Sequence, residues 1–157
     1  MILSKKSALL VVILTFIGIS VATWFLLSHQ SRGSFGIYLL ENNKLVISEE
    51  DIIWYNRTSH EIKLTESGVK KIEDLQVSLH GSPFEVKING ETIYNGYFVT
   101  PISSISVPPS EVVIETLVQN NIIKIQMDYP PSQFVGEDPR NNPKIFDYFQ
   151  NIKKIVQ

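Results

Sequence analysis

The sequence predicts an α+β domain, a mainly antiparallel sheet with two or three short helices, behind an N-terminal transmembrane helix. Three observations carry that expectation. Apolar residues crowd the start of the chain, filling 19 of the first 28 positions against 49 of the remaining 129. Beyond position 28, Ile and Val together number 28 against 7 Leu, with no Ala, a usage that suits pleated strands better than helix bundles. Short runs of alternating hydrophobicity, punctuated by Asn, Gly and Pro, then recur along the rest of the chain.

The first element is the anchor. From Ala8 to Leu27 there are 20 consecutive uncharged residues, 13 of them Leu, Ile, Val or Phe. At 1.5 Å rise such a helix spans roughly the 30 Å hydrocarbon core. Its 13 strongly apolar residues contribute on the order of −6 kcal/mol to insertion as an upper bound. Lys5 and Lys6 flank the inner end and Trp24 sits near the outer one, so positive-inside logic places residues 1–7 in the cytoplasm and everything after the span outside. The alternative is a signal peptide cleaved near Ala22, which delivers the same domain to the same side as a secreted protein. Residues 28–34 form a short polar tether, and residues 35–157 the extracytoplasmic domain.

Within that domain, Phe35–Leu40 and Lys44–Ser48 read as strands joined through Glu41, Asn42 and Asn43. Ser48 ahead of Glu49, Glu50 and Asp51 predicts a capped helical turn running through Tyr55. His60–Leu64 alternates as a half-buried strand with Ile62 and Leu64 inward. Thr65 can cap a helix carrying Val69, Ile72 and Leu75 on one face, weakened by Gly68. Asn89-Gly90 between Phe84–Ile88 and Glu91–Val99 is the strongest local signal, a type I′ hairpin turn. A second hairpin runs Val112–Val118, Gln119-Asn120-Asn121, Ile122–Asp128. Ser132–Asn142 reads as a loop, and Asn142-Pro143 opens a last helix extending to about Val156, with Ile145, Phe149, Ile152 and Val156 as its stripe.

Composition excludes several function classes. All 16 acidic residues lie beyond position 28 against 12 Lys and Arg there, so the domain carries 12 − 16 = −4, which argues against a nucleic-acid partner. The absence of Cys removes disulfides and thiol chemistry. Three His residues, His29, His60 and His80, show no zinc-binding spacing, so no metal is expected. No G-x-S-x-G elbow surrounds Ser103 and Ser104, and no glycine-rich phosphate loop or other cofactor motif occurs, so no cofactor is expected. The polar residues that stand out are Asp138 and Arg140 in Glu137-Asp138-Pro139-Arg140, where an acid and a guanidinium share an irregular loop. His60 and His80 join them as binding candidates. Asn56-Arg57-Thr58 satisfies the glycosylation sequon and makes Asn56 a candidate acceptor. Trp54, Tyr55, Tyr94, Tyr97, Phe98 and Tyr129 could form a binding face, with core packing as the simpler role.

Asp51-Ile52 through Tyr55-Asn56, Ser59–Thr65 with Gly68-Val69, and Pro83-Phe84 through Gly90 with Ile93–Gly96 together resemble uncharacterised single-pass, membrane-anchored extracytoplasmic proteins; Ser103-Ser104 and Gly136–Arg140 fit the same pattern. That resemblance covers about residues 45–150 and implies one anchor and an outside domain, without an activity. Part of the region, Ile62–Ile72 followed by Phe84–Tyr94, is also similar to a βαββ piece of the first periplasmic domain of SecD, the accessory subunit of the protein-export translocase. Leu64, Gly68 and Asn89-Gly90 match its strand, helix opening and hairpin turn. SecD has several spans where this chain has one, and its membrane-embedded charged motifs have no counterpart here, so proton-coupled export is not implied.

The expectation is therefore a non-enzymatic, single-pass cell-membrane protein whose outside domain binds a protein or envelope component. One alternative is a small hydrolase or transferase with a site assembled from distant loops. Another is accessory work beside the export machinery.

Overall fold

The computed structural model describes residues 34–105, 107, 108, 111–127 and 136–157. The chain divides into two compact units, Met1–Arg32 and Gly33–Gln157. The expectations for the inner terminus, the anchor at 8–27, most of the tether, Asp128, Tyr129 and the first part of the late loop lie outside the described residues. Among the described residues no helix is long and apolar enough to cross a membrane.

The second unit is α+β. Its strands are β1 (Phe35–Leu39), β2 (Leu45–Ser48), β3 (Ile52–Asn56), β4 (Glu61–Leu64), β5 (Ser82–Ile88), β6 (Glu91–Val99), β7 (Val112–Glu115), β8 (Ile122–Met127) and β9 (Ile155–Val156). They form one sheet in the order β2-β1-β5-β6-β7-β8-β4-β3-β9. The sheet is mainly antiparallel but mixed, because β6–β7 and β3–β9 run parallel. Two helices accompany it, α1 (Glu66–Glu73) and α2 (Pro143–Asn151), with single 3₁₀ turns at Glu49–Asp51 and Pro139–Asn141.

Turn chemistry sets the registers. Asn89 and Gly90 both take positive φ, 55° and 80°, the type I′ geometry whose twist matches the flanking strands. Asn120 and Asn121 do the same between β7 and β8, at 52° and 59°. With register fixed, Phe84, Val86 and Ile88 share the buried face of β5, as Ile62 and Leu64 do on β4 and Ile123 and Ile125 on β8.

A length constraint curls the sheet. β2 and β3 stand first and eighth in the order, which in a flat sheet would separate them by about 34 Å at ~4.8 Å per strand. The link from Ser48 to Ile52 is four Cα steps, at most about 14 Å when fully extended. A flat sheet is impossible, so the two edges bend toward each other around one core. Phe149 of α2 fills the space between them: its ring lies 4.9 Å from Phe35 on β1 and stacks on Tyr55 of β3 at 4.9 Å and 11°.

The structure corrects three sequence expectations. The helical turn after Ser48 stops at Asp51 instead of reaching Tyr55, because Ile52-Ile53-Trp54-Tyr55 is β-branched and aromatic and pairs with β4. The last helix ends at Asn151 instead of Val156. Lys153 takes φ 58° and the Lys154 N–H closes on the Phe149 carbonyl at 2.8 Å, after which Ile155-Val156 pairs with β3 as a new edge strand. The late loop contains an ordered 3₁₀ turn, since Asp138 caps it and Pro139 supplies its first φ.

Gly68 is more than a weak point in α1. Thr65 caps the helix by accepting from the Gly68 N–H, and a Cβ at Gly68 would lie 2.9 Å from the Asp51 carbonyl oxygen. Gly68→Ala is therefore expected to destabilise the domain, against the ~1 kcal/mol gain that helix propensity alone would give; denaturant titration measures the sign. Phe149→Ala is expected to cost about 3–5 kcal/mol in the same assay.

Candidate functional site

The polar residues singled out from the sequence converge unequally. His60 terminates the turn between β3 and β4 at φ 55°, a left-handed position that His tolerates better than most side chains. Its backbone N–H donates to the Asn56 carbonyl and its own carbonyl accepts from Ile125 on β8, so the ring is held rigidly against the sheet. Its Nδ1 lies 2.8 Å from the Tyr55 hydroxyl, and its Nε2 lies 3.9 Å from Oδ2 of Asp138. Arg140 grips the same carboxylate with two parallel bonds, Nε to Oδ1 at 2.9 Å and Nη2 to Oδ2 at 2.7 Å, while its Nη1 donates to the Ile125 carbonyl at 2.8 Å. His60, Asp138 and Arg140 thus form one cluster, 78 residues apart in sequence between the first two.

His80 does not belong to it; it sits exposed in the turn before β5. Ser103 and Ser104 are turn residues: Ser103 Oγ accepts from the Thr100 N–H and the Ser104 N–H donates to the Leu79 carbonyl. Tyr55 is the member that sequence reading placed only among the aromatics. The signal for it is the separation of five residues across a tight turn, which brings a strand hydroxyl under the returning imidazole. Tyr55, Tyr94 and Phe98 are buried, so these aromatics of the suspected binding face are core.

Electrostatics show what the cluster can do. Burial raises the Tyr55 hydroxyl far above its ordinary range, Arg140 opposing the effect and the nearby Asp138 adding to it, so Tyr55 stays protonated and shares a hydrogen bond with Nδ1. Nε2 faces the Asp138 carboxylate on the other side of the ring. Burial and the Arg140 charge lower the His60 pKa below 6.5, outweighing the Asp138 carboxylate. For Asp138 itself burial works upward, but the Arg140 hydrogen bonds and charge win, and its pKa falls below 3.8. A neutral imidazole bonded to a protonated phenol thus lies beside a carboxylate already paired with a guanidinium. A groove of about 520 Å³ lies alongside, lined by Ile93, Glu137, Asp138, Pro139, Asn141, Asn142 and Pro143. Neither His60 nor Tyr55 lines it, so a molecule in that groove touches only the far side of the cluster. Among the described residues no group of three or more His, Asp or Glu is arranged to hold a metal ion.

The cluster has a mechanical task. Asp138 caps the Pro139–Asn141 turn, Arg140 ties it to β8 and His60 faces it from β4, fixing the segment that leads into α2. Because the folded His60 pKa lies below that of the unfolded chain, the unfolded state binds the proton more readily. Stability is complete above about pH 6.5 and is lost as pH falls from there through the folded pKa. Urea unfolding between pH 7.5 and 5 is expected to show this loss, and His60→Gln to flatten it. Arg140→Ala, which strands a part-buried carboxylate, is expected to cost about 3 kcal/mol at pH 7 by the same measurement.

Neither a family model nor a curated protein nor a solved structure matches the chain, and the chemistry of the cluster follows from its own contacts.

Proposed function

We propose that this chain is a membrane-anchored extracytoplasmic binding module, and that its domain docks an uncharged, apolar surface of another protein. The carrying observation is a set of exposed aliphatic side chains at one end of the sheet. Leu40 after β1, Leu79 before β5, Ile102 after β6 and Leu117 after β7 are 51, 59, 77 and 57% exposed. Their loops abut through backbone bonds: Leu40 N–H to the Pro83 carbonyl, Ser104 N–H to the Leu79 carbonyl, and Thr116 N–H to the Val99 carbonyl, all at 2.9 Å. The stretches 75–84, 99–105 and 116–122 at this end contain no Asp, Glu, Lys or Arg.

Single exposed aliphatics are ordinary, but four on adjoining loops, three of them in stretches without a charged residue, match the composition of a protein-interface core. Burying the exposed parts of the four is worth roughly 1 kcal/mol each, enough to favour docking and too little to force aggregation. The end also lies opposite Phe35, where the chain enters the sheet. The His60 cluster supports binding over a hydrolase or transferase, because the groove beside it is lined by neither His60 nor Tyr55. Accessory work beside the export machinery would be one instance of such docking.

Photo-crosslinking from position 102 or 79 of the full chain in native membranes tests the reading. A discrete adduct with one protein, lost in Leu117→Asp and not formed from Lys70 on the polar face of α1, is expected. Equal labelling from all three positions, or none from 79 and 102, would overturn it, and an adduct of two copies of this chain would replace the foreign partner with self-association.

A further inference from the structure

The turn between β3 and β4 carries a motif that neither the core nor the docking end uses. Asn56 closes β3, and Arg57 and Thr58 follow on an exposed turn. The Asn56 side-chain oxygen accepts two backbone bonds, from the Thr58 N–H at 2.8 Å and the Ser59 N–H at 2.9 Å. Those bonds fix the carboxamide in an Asx turn and engage only Oδ1. Nδ2 has no protein partner among the described residues. Arg57 folds back over the Phe146 ring, its guanidinium carbon 4.3 Å from the centroid, which leaves the Thr58 side of the turn clear.

We infer that Asn56 is an N-glycosylation acceptor, with a polyprenyl-phosphate-linked or polyprenyl-diphosphate-linked oligosaccharide as co-substrate. The inference rests on the extracytoplasmic placement proposed above. In the transfer, Nδ2 forms a bond to the anomeric carbon of the first sugar, the bond from that carbon to the phosphate oxygen breaks, and the lipid-linked phosphate leaves. The nitrogen gives up one proton to the transferring enzyme. Both turn hydrogen bonds survive the change, because Oδ1 accepts them and the sugar is carried by Nδ2.

The fold accommodates the modification in two further ways. The backbone of Asn56 and Arg57 pairs with Val156, about 100 residues later in the chain, so the acceptor is left uncovered by its β9 neighbour until that segment has been made. The opposite end of β4 meets the 116–121 loop, where Leu64 N–H bonds the Asn121 carbonyl and Lys63 the Asn120 carbonyl. A glycan on Asn56 thus grows from the strand end away from Leu117 and leaves the apolar loops open to a partner.

Intact-mass measurement on the full chain purified from its native membranes decides the matter. The expected result is a mass above that of the polypeptide by at least one sugar, retained in Thr58→Ser and lost in Thr58→Ala. Thr58→Ala keeps the Asn56 turn, because the Thr58 hydroxyl holds none of its bonds; Asn56→Gln removes the acceptor itself and is expected to lose the same mass. Protease treatment of intact cells or spheroplasts accompanies the measurement. An unmodified chain whose domain is cleaved from outside overturns the glycosylation and leaves the placement standing. A domain protected from external protease but cleaved after lysis overturns the placement and the glycosylation with it.

Discussion

Residues 49–51 carry the chain from the first strand of the sheet order to the eighth, and the fold depends on how that short passage is held. Asp51 holds it. Its buried carboxylate accepts from the Ser48 N–H and hydroxyl at 2.8 Å and from the Lys71 ammonium at 2.7–2.8 Å. Burial works against the charge, yet the Lys71 and Ser48 bonds prevail and keep the pKa below 3.8. One carboxylate therefore caps the turn out of β2, starts β3 and anchors α1, while the Asp51 carbonyl accepts from the Thr65 N–H and leaves room only for Gly68 beside it. Link length makes the sheet curl, and Asp51 fixes where the curl is made.

The C-terminal segment completes what that turn begins. Phe149 occupies the space between the approaching edges, Tyr148 bonds both the Phe35 N–H and Glu49, and the Lys154 ammonium donates to the Glu49 carbonyl at 2.6 Å. The His60–Asp138–Arg140 cluster sits at the root of this segment. Its contacts make it a fastening: Asp138 caps the turn ahead of α2 and Arg140 ties that turn to β8.

Much of this was legible in the sequence where the cause is local. Asn89-Gly90 dictated its hairpin, Thr65 its cap, Asn142-Pro143 the start of α2, and the alternation of Phe84, Val86 and Ile88 the inner face of β5. The errors lie where tertiary pairing overrides local preference. Ile52–Tyr55 abandons a well-capped helical start because β4 offers it a partner, and Ile155-Val156 leaves a helical stripe to pair with β3. The union of His60 with Asp138 and Arg140 cannot be read from spacing, because it spans the sheet between residues 78 positions apart. Tyr55 carried no polar signal of its own, and the apolar rim becomes visible only when the ends of β1, β5, β6 and β7 are known to adjoin.

Native-state hydrogen exchange on Asp51→Ala is the most direct measurement of the role given to this turn. Removing the carboxylate leaves the Ser48 N–H and the Lys71 ammonium unpaired, at a cost of about 3 kcal/mol. Amides of β2, β3 and α1 are expected to lose protection together, by a common factor on the order of 100. Loss confined to α1, with β2 and β3 exchanging as in the unaltered chain, would contradict it.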